Sequence, residues 1–150
     1  MTSRDLYALH CKGFTFEIRD GILFVGPASK LTDEIKSLIK QHKQEIIELL
    51  KGPITEDEAR QWLISDTKAM MRDWPEGALI ASQGTPLYAE YQKASDAVDK
   101  AFEGTREDFL KALQRYETTL MRIKEEFKNK QWAADTSTVK AQVIISSPGR

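Results

Sequence analysis

The sequence predicts an α+β protein: a small αββαα unit over residues 1–52, then an all-helical region that ends in an antiparallel helical hairpin. Three observations carry that reading. Asp20-Gly21 stands between two alternating apolar runs, the strongest short-range signal for a β-hairpin. Apolar positions from Ile35 to Leu50 recur at spacings of three and four, the period of an amphipathic helix. From Leu87 to Phe127 the spacings alternate between four and three on either side of Gly104, as in two helices packed along a seam.

Taken in order, Ser3 caps a short helix from Arg4 to Lys12 that points Leu6 and Leu9 inward, and Gly13 supplies the left-handed residue that ends it. Phe14–Arg19 and Ile22–Gly26 form the hairpin. A two-residue loop sets Arg19 opposite Ile22, Ile18 opposite Leu23, Glu17 opposite Phe24 and Phe16 opposite Val25, and opposed residues share a face. One face is wholly apolar: Phe14, Phe16, Ile18, Leu23 and Val25. The other mixes charge and apolar surface: Thr15, Glu17, Arg19, Ile22 and Phe24. A purely structural face does not require Ile22 and Phe24, whereas a docking face does. Two readings stay open here: cover by the chain's own helices, or exposure to a partner. After a connector at Gly26-Pro27-Ala28-Ser29, Thr32 caps a helix whose buried stripe is Ile35, Leu38, Ile39, His42, Ile46, Leu49 and Leu50. A break into two shorter helices near His42 fits the same periodicity.

Gly52-Pro53 is the clearest boundary, and the helical region runs over 53–132. Thr55 and Glu58 form a capping box, with Ile54 and Ala59 placed for a hydrophobic staple. The helix over 55–74 carries Ala59, Trp62, Leu63, Met70 and Trp74, and Pro75 stops it. A polar linker, Glu76 to Gly84, is interrupted by Leu79-Ile80. Thr85-Pro86 then opens a helical hairpin over 86–131. Its first helix presents Leu87, Tyr91, Ala94, Val98 and Ala101. Its second, capped by Thr105, presents Phe109, Leu113, Tyr116, Leu120, Ile123 and Phe127. A short loop makes the pair antiparallel. Their seam is read as mutual contact, with one edge left as an alternative dimer surface. Residues 133–150 form a polar tail, read either as disordered or as one short strand, Val139 to Ile145, able to extend the hairpin edge.

The chain has 150 residues, a formal net charge of −1 and 41% hydrophobic residues. Residues 1–52 hold 8 basic and 7 acidic side chains, and residues 53–150 hold 14 and 16. Neither part has the basic excess that drives counterion release, which argues against direct nucleic-acid binding. No apolar run approaches the ~20 residues of a membrane span, and Met1 to Asp5 lack the basic start and apolar stretch of a signal peptide. Cys11 is the single cysteine, as expected in the reducing cytoplasm.

No constellation for catalysis is evident. His42 lies on a helical apolar stripe and is read as packing or fixing a helix junction. His10 and Cys11 are helical neighbours about 100 degrees apart, a poor arrangement for a thiolate and its base, so Cys11 is read as a small hydrophobe. One cysteine and two distant histidines give no zinc spacing. Glu56-Asp57-Glu58 is the acidic first turn of a helix. Gly77 and Gly84 are isolated, with no phosphate-binding loop. The sequence therefore predicts no enzyme, no metal and no cofactor. Trp62, Trp74 and Trp132 are read mainly as packing residues, with Trp74, beside Pro75, as the candidate for a second contact surface.

Residues 6–50 resemble the N-terminal docking domain of the tubulysin synthetase family. The resemblance rests on Gly13 before an alternating strand, Asp20-Gly21, Leu31-Thr32, and His42-Lys43 followed by Glu45-Ile46-Ile47-Glu48-Leu49-Leu50. It implies an αββαα unit, a homodimer, and an exposed hairpin that captures a short acidic or mixed linear motif from the end of a partner protein. That role falls here on Thr15, Glu17, Arg19, Ile22 and Phe24. In the synthetases very large catalytic modules follow, whereas here a helical segment does. The functional expectation is a non-enzymatic docking or adaptor protein. The alternative is a phage or plasmid accessory or inhibitor protein acting on a larger nucleoprotein complex.

Overall fold

The computed structural model describes residues 1–75 and 77–127. Among them are seven α-helices and one two-stranded antiparallel sheet, an α+β fold with a helical region. Trp132 and the tail over 133–150, with its strand candidate at Val139 to Ile145, lie outside the described residues.

The first helix, α1 (Ser3–Cys11), is capped by Thr2 rather than Ser3. Asp5 lies three residues beyond Thr2, and the two close a full capping box: Asp5 N–H donates to Thr2 Oγ1 at 3.2 Å and Thr2 N–H donates to Asp5 Oδ2 at 2.9 Å. Ser3 has no acid at the corresponding position. Gly13 adopts φ +99 and turns the chain into β1 (Thr15–Arg19). Strand β2 (Ile22–Gly26) pairs with it in the expected register, from Arg19 opposite Ile22 to Thr15 opposite Gly26. Asp20 and Gly21 both have positive φ, 52 and 77, the signature of a type I′ turn.

A 3-10 turn at Ala28–Lys30 leads into α2 (Asp33–Gln41), capped by Thr32, and then α3 (Lys43–Lys51). The helix does break at His42, which ends α2 and begins α3. Only the second part of the expected stripe is buried. Ile46 and Leu50 are in the core, joined by Ile47 from outside that stripe, and Leu49 is half-buried, but α2 buries none of its residues and Leu38 is exposed.

Helix α4 (Glu56–Met71) ends three residues before Trp74, which closes a turn back onto the Met71 carbonyl. The expected linker contains a helix of its own, α5 (Ala78–Ser82), with Ala78 and Ser82 buried. Next come α6 (Pro86–Ala101) and α7 (Arg106–Phe127).

The chain divides into two units, and the division does not fall at Gly52. The first comprises Met1–Leu63 with Val98–Gln114; the second comprises Ile64–Ala97 with Arg115–Arg150, described as far as Phe127. In the first unit Pro53 bridges to Thr105, Ile54 N–H donates to the Gly104 carbonyl at 3.1 Å, and Arg106 N–H donates to the Gly52 carbonyl at 3.0 Å. The expected boundary is therefore stitched to the α6–α7 loop by backbone bonds. Tyr7 stacks on Trp62 at 5.0 Å, and Trp62 meets Phe109 at 6.1 Å, so α1, α4 and α7 share aromatic contacts. In the second unit Ala78, Leu87, Ile123 and Phe127 form an apolar cluster. Leu87 and Tyr91 early in α6 meet Ile123 and Tyr116 late in α7, so the two run antiparallel as expected.

Candidate peptide-docking site

The hairpin presents the two faces its alternation dictates. On the inner face Phe14 and Phe16 are buried and Ile18, Leu23 and Val25 are half-buried. On the outer face Thr15 and Glu17 are half-buried and Arg19 is exposed. Ile22 is 56% and Phe24 42% exposed, so the chain's own helices do not seal them. Single exposed apolar residues are ordinary on proteins. Two of them, two positions apart on the same ribbon face and alongside an aromatic–cation contact, form a shaped surface.

That contact is made by Arg19. Its guanidinium carbon lies 4.1 Å above the centre of the Phe24 ring, and its Nε sits 3.3 Å from Glu17 Oε1. Glu17 also faces Lys111 Nζ at 3.7 Å. The outer surface thus holds an engaged carboxylate, a stacked guanidinium and two apolar side chains. The ring orders the arginine by cation–π attraction, and the arginine side chain stays 59% exposed.

The edges of the ribbon differ. In a type I′ hairpin the pair flanking the turn exchanges both backbone bonds, so alternate residues point their backbone groups outward. Ile18 does so on β1, and its amide donates to Glu107 Oε2 at 2.8 Å. Leu23 and Val25 do so on β2.

The other residues singled out in the sequence do not join this surface. Trp74, the candidate for a second contact surface, is half-buried and packs against the cluster of Ala78, Leu87, Ile123 and Phe127. His42 sits at the α2–α3 junction with Nδ1 3.3 Å from Glu45 Oε2. Cys11, read as a small hydrophobe, is an exposed free thiol, whereas His10 is buried and stacks on Tyr7 at 6.0 Å. The buried stripe of α1 runs through Leu6, Leu9 and His10, which turns Cys11 to solvent. Glu107 and Lys111 were missed, because they lie some ninety residues from the hairpin and read as ordinary helix-surface charges.

No helix among the described residues is long and apolar enough to cross a membrane. No family model, curated protein or solved structure matches the chain.

Proposed function

We propose that this chain is a non-catalytic docking protein that captures an extended segment of a partner protein on its hairpin. The observation that carries the reading is the exposure of Ile22 and Phe24 on a ribbon whose opposite face is anchored by buried Phe14 and Phe16. An incoming strand would add to the β2 edge, where main-chain bonds supply affinity and alternate side chains supply selectivity. A strand there lies about 4.8 Å from β2. Its outer-face residue beside Phe24 comes within reach of the Arg19 guanidinium, which favours aspartate or glutamate. The residue two positions away packs on Ile22 and is apolar.

The resemblance of residues 6–50 to a docking domain supports the same reading and adds a homodimer. The apolar stripe of α2, with Leu38 exposed and Ile35 and Ile39 half-buried, agrees with self-association. A strictly monomeric species by light scattering at micromolar concentration would count against the dimer. The cytoplasm is the compartment proposed, on the ground that the one thiol, Cys11, is free and exposed.

The docking proposal is tested by selecting a random-peptide display library on the wild type and on the Ile22→Asp/Phe24→Asp variant. The wild type is expected to enrich peptides with an acid and an apolar residue two positions apart. The variant, folded by circular dichroism, is expected to lose them. Enrichment of the same peptides on both proteins would overturn the hairpin as the binding surface.

A further inference from the structure

The outward groups of the two strands are not equally available. On the β1 side, the Ile18 amide is already taken by Glu107 Oε2 at 2.8 Å and the Phe14 amide just before the strand donates to the Leu9 carbonyl at 3.2 Å, while the Phe16 amide between them has no side-chain partner among the described residues. Glu107 comes from the first turn of α7 and is largely buried, with 17% of its side chain exposed. Its carboxylate is steadied by Lys111 Nζ at 3.4 Å, one turn further along, and Lys111 also reaches Glu17 on the outer face at 3.7 Å. The acid is therefore held from α7 and seated on the strand edge. On the β2 side no side chain among the described residues takes the Leu23 or Val25 amide.

A strand approaching β1 would have to displace the carboxylate from Ile18. It would also bring its own carbonyl oxygens against a fixed negative charge. Inward-pointing charge at a strand edge is a known means of preventing unwanted pairing. Here the charge is supplied from a distant helix, and among the described residues it sits on the β1 edge alone, at Ile18.

We infer that Glu107 is a specificity-determining residue that closes the β1 edge and confines strand pairing to β2. Its functional meaning rests on the docking reading above. The closure itself does not.

The test uses the full chain, 15N-labelled, as wild type, Glu107→Ala, Glu107→Gln and Lys111→Met. In the wild type the Ile18 amide is expected to exchange slowly and the Leu23 and Val25 amides quickly. In Glu107→Ala the Ile18 amide should exchange at least about tenfold faster. The same variant should gain concentration-dependent shifts at Phe16 and Ile18, the mark of self-pairing through the opened edge. Glu107→Gln retains an acceptor oxygen, and Lys111→Met retains the carboxylate, so both are expected to keep Ile18 protected. If Glu107→Ala does not fold, the wild-type amide pattern and these two variants still decide the matter. Fast Ile18 exchange in the wild type, or a folded Glu107→Ala with no new shifts on β1, overturns the inference. Peptide selection that fails while Ile18 depends on Glu107 overturns the docking reading and leaves the guarded edge intact.

Discussion

Ile22 and Phe24 stand in water on a ribbon otherwise held by buried phenylalanines, and their contribution to stability should be correspondingly small. An exposed substitution costs about 0.5 kcal/mol or less, and losing the Arg19–Phe24 cation–π contact adds about 0.5–1 kcal/mol, which together stay below about 2 kcal/mol for the pair. Chemical denaturation of Ile22→Asp/Phe24→Asp is expected to fall in that range. A loss above ~2 kcal/mol would mean that these side chains serve a core. Glu45 offers a different handle at this scale. It pairs with the N-terminal ammonium and with His42, and these hydrogen bonds, the ammonium's first, hold its carboxyl below the ordinary 4.5. A carboxyl lowered in the folded state binds fewer protons than in the unfolded chain. Its contribution is therefore complete above 4.5 and is lost as the pH falls through the lowered folded value. Above pH 4.5, where the contribution is complete, Glu45→Gln should lower stability slightly, and in acid it should match the wild type, so that the profile flattens between the two; the effect is small because the pair is exposed. Urea midpoints measured from pH 3 to pH 7, at values of about one unit spacing, check this.

At the scale of elements, the hairpin is the part of the fold most legible in the sequence. Asp20-Gly21 specified both the turn type and the register, because few residues accept positive φ at two successive positions. Gly21 at φ +77 has open space where a methyl group would point, so Gly21→Ala meets strain in the backbone and no clash. It should cost about 1 kcal/mol by thermal or chemical denaturation. The seam of α6 and α7 was equally readable, since Phe109, Leu113, Leu120 and Ile123 recur at helical spacing and are all fully buried. Other elements were hidden for physical reasons. The five residues of α5 are too few for a periodic pattern, and burial of Ala78 and Ser82 comes from their small size. The stripe of α2 has a strong helical period, but periodicity reports only that a face is apolar. It does not report what covers that face, and within the described residues Ile35 and Ile39 are only half-buried and Leu38 is exposed. The candidate site followed the same rule. Alternation identified Thr15, Glu17, Arg19, Ile22 and Phe24 as one face, while the carboxylate that closes the β1 edge arrives from Glu107 through tertiary structure alone.

At the scale of the molecule, Gly52-Pro53 reads locally as a boundary, and the backbone there is bonded to the α6–α7 loop. Arg106 reinforces that junction. Its Nε lies 3.1 Å from Glu58 Oε1, and its Nη1 donates to the Leu49 carbonyl at 3.2 Å. Both side chains are largely shielded, at 18% and 14% exposure, and removing one partner strands the other charge. Arg106→Ala should therefore destabilise the first unit by about 2–4 kcal/mol, at or just below the range for breaking a buried pair because some solvent reaches it. Residues 1–52 face a larger loss when cut from the rest. Tyr7 would lose Trp62, the Ile18 amide would lose Glu107, and the Gly52 and Leu49 carbonyls would lose Arg106. A chain of that length already buries too little surface for comfortable stability. Alone it would expose apolar surface that in the whole chain belongs to a unit including Val98–Gln114. A fragment of residues 1–52 is expected to show no cooperative unfolding transition by circular dichroism, while residues 1–127 unfold cooperatively. A fragment that melts as sharply as the longer chain would mean that the αββαα segment is a free-standing domain and that its bonds to α4 and α7 are incidental to its fold.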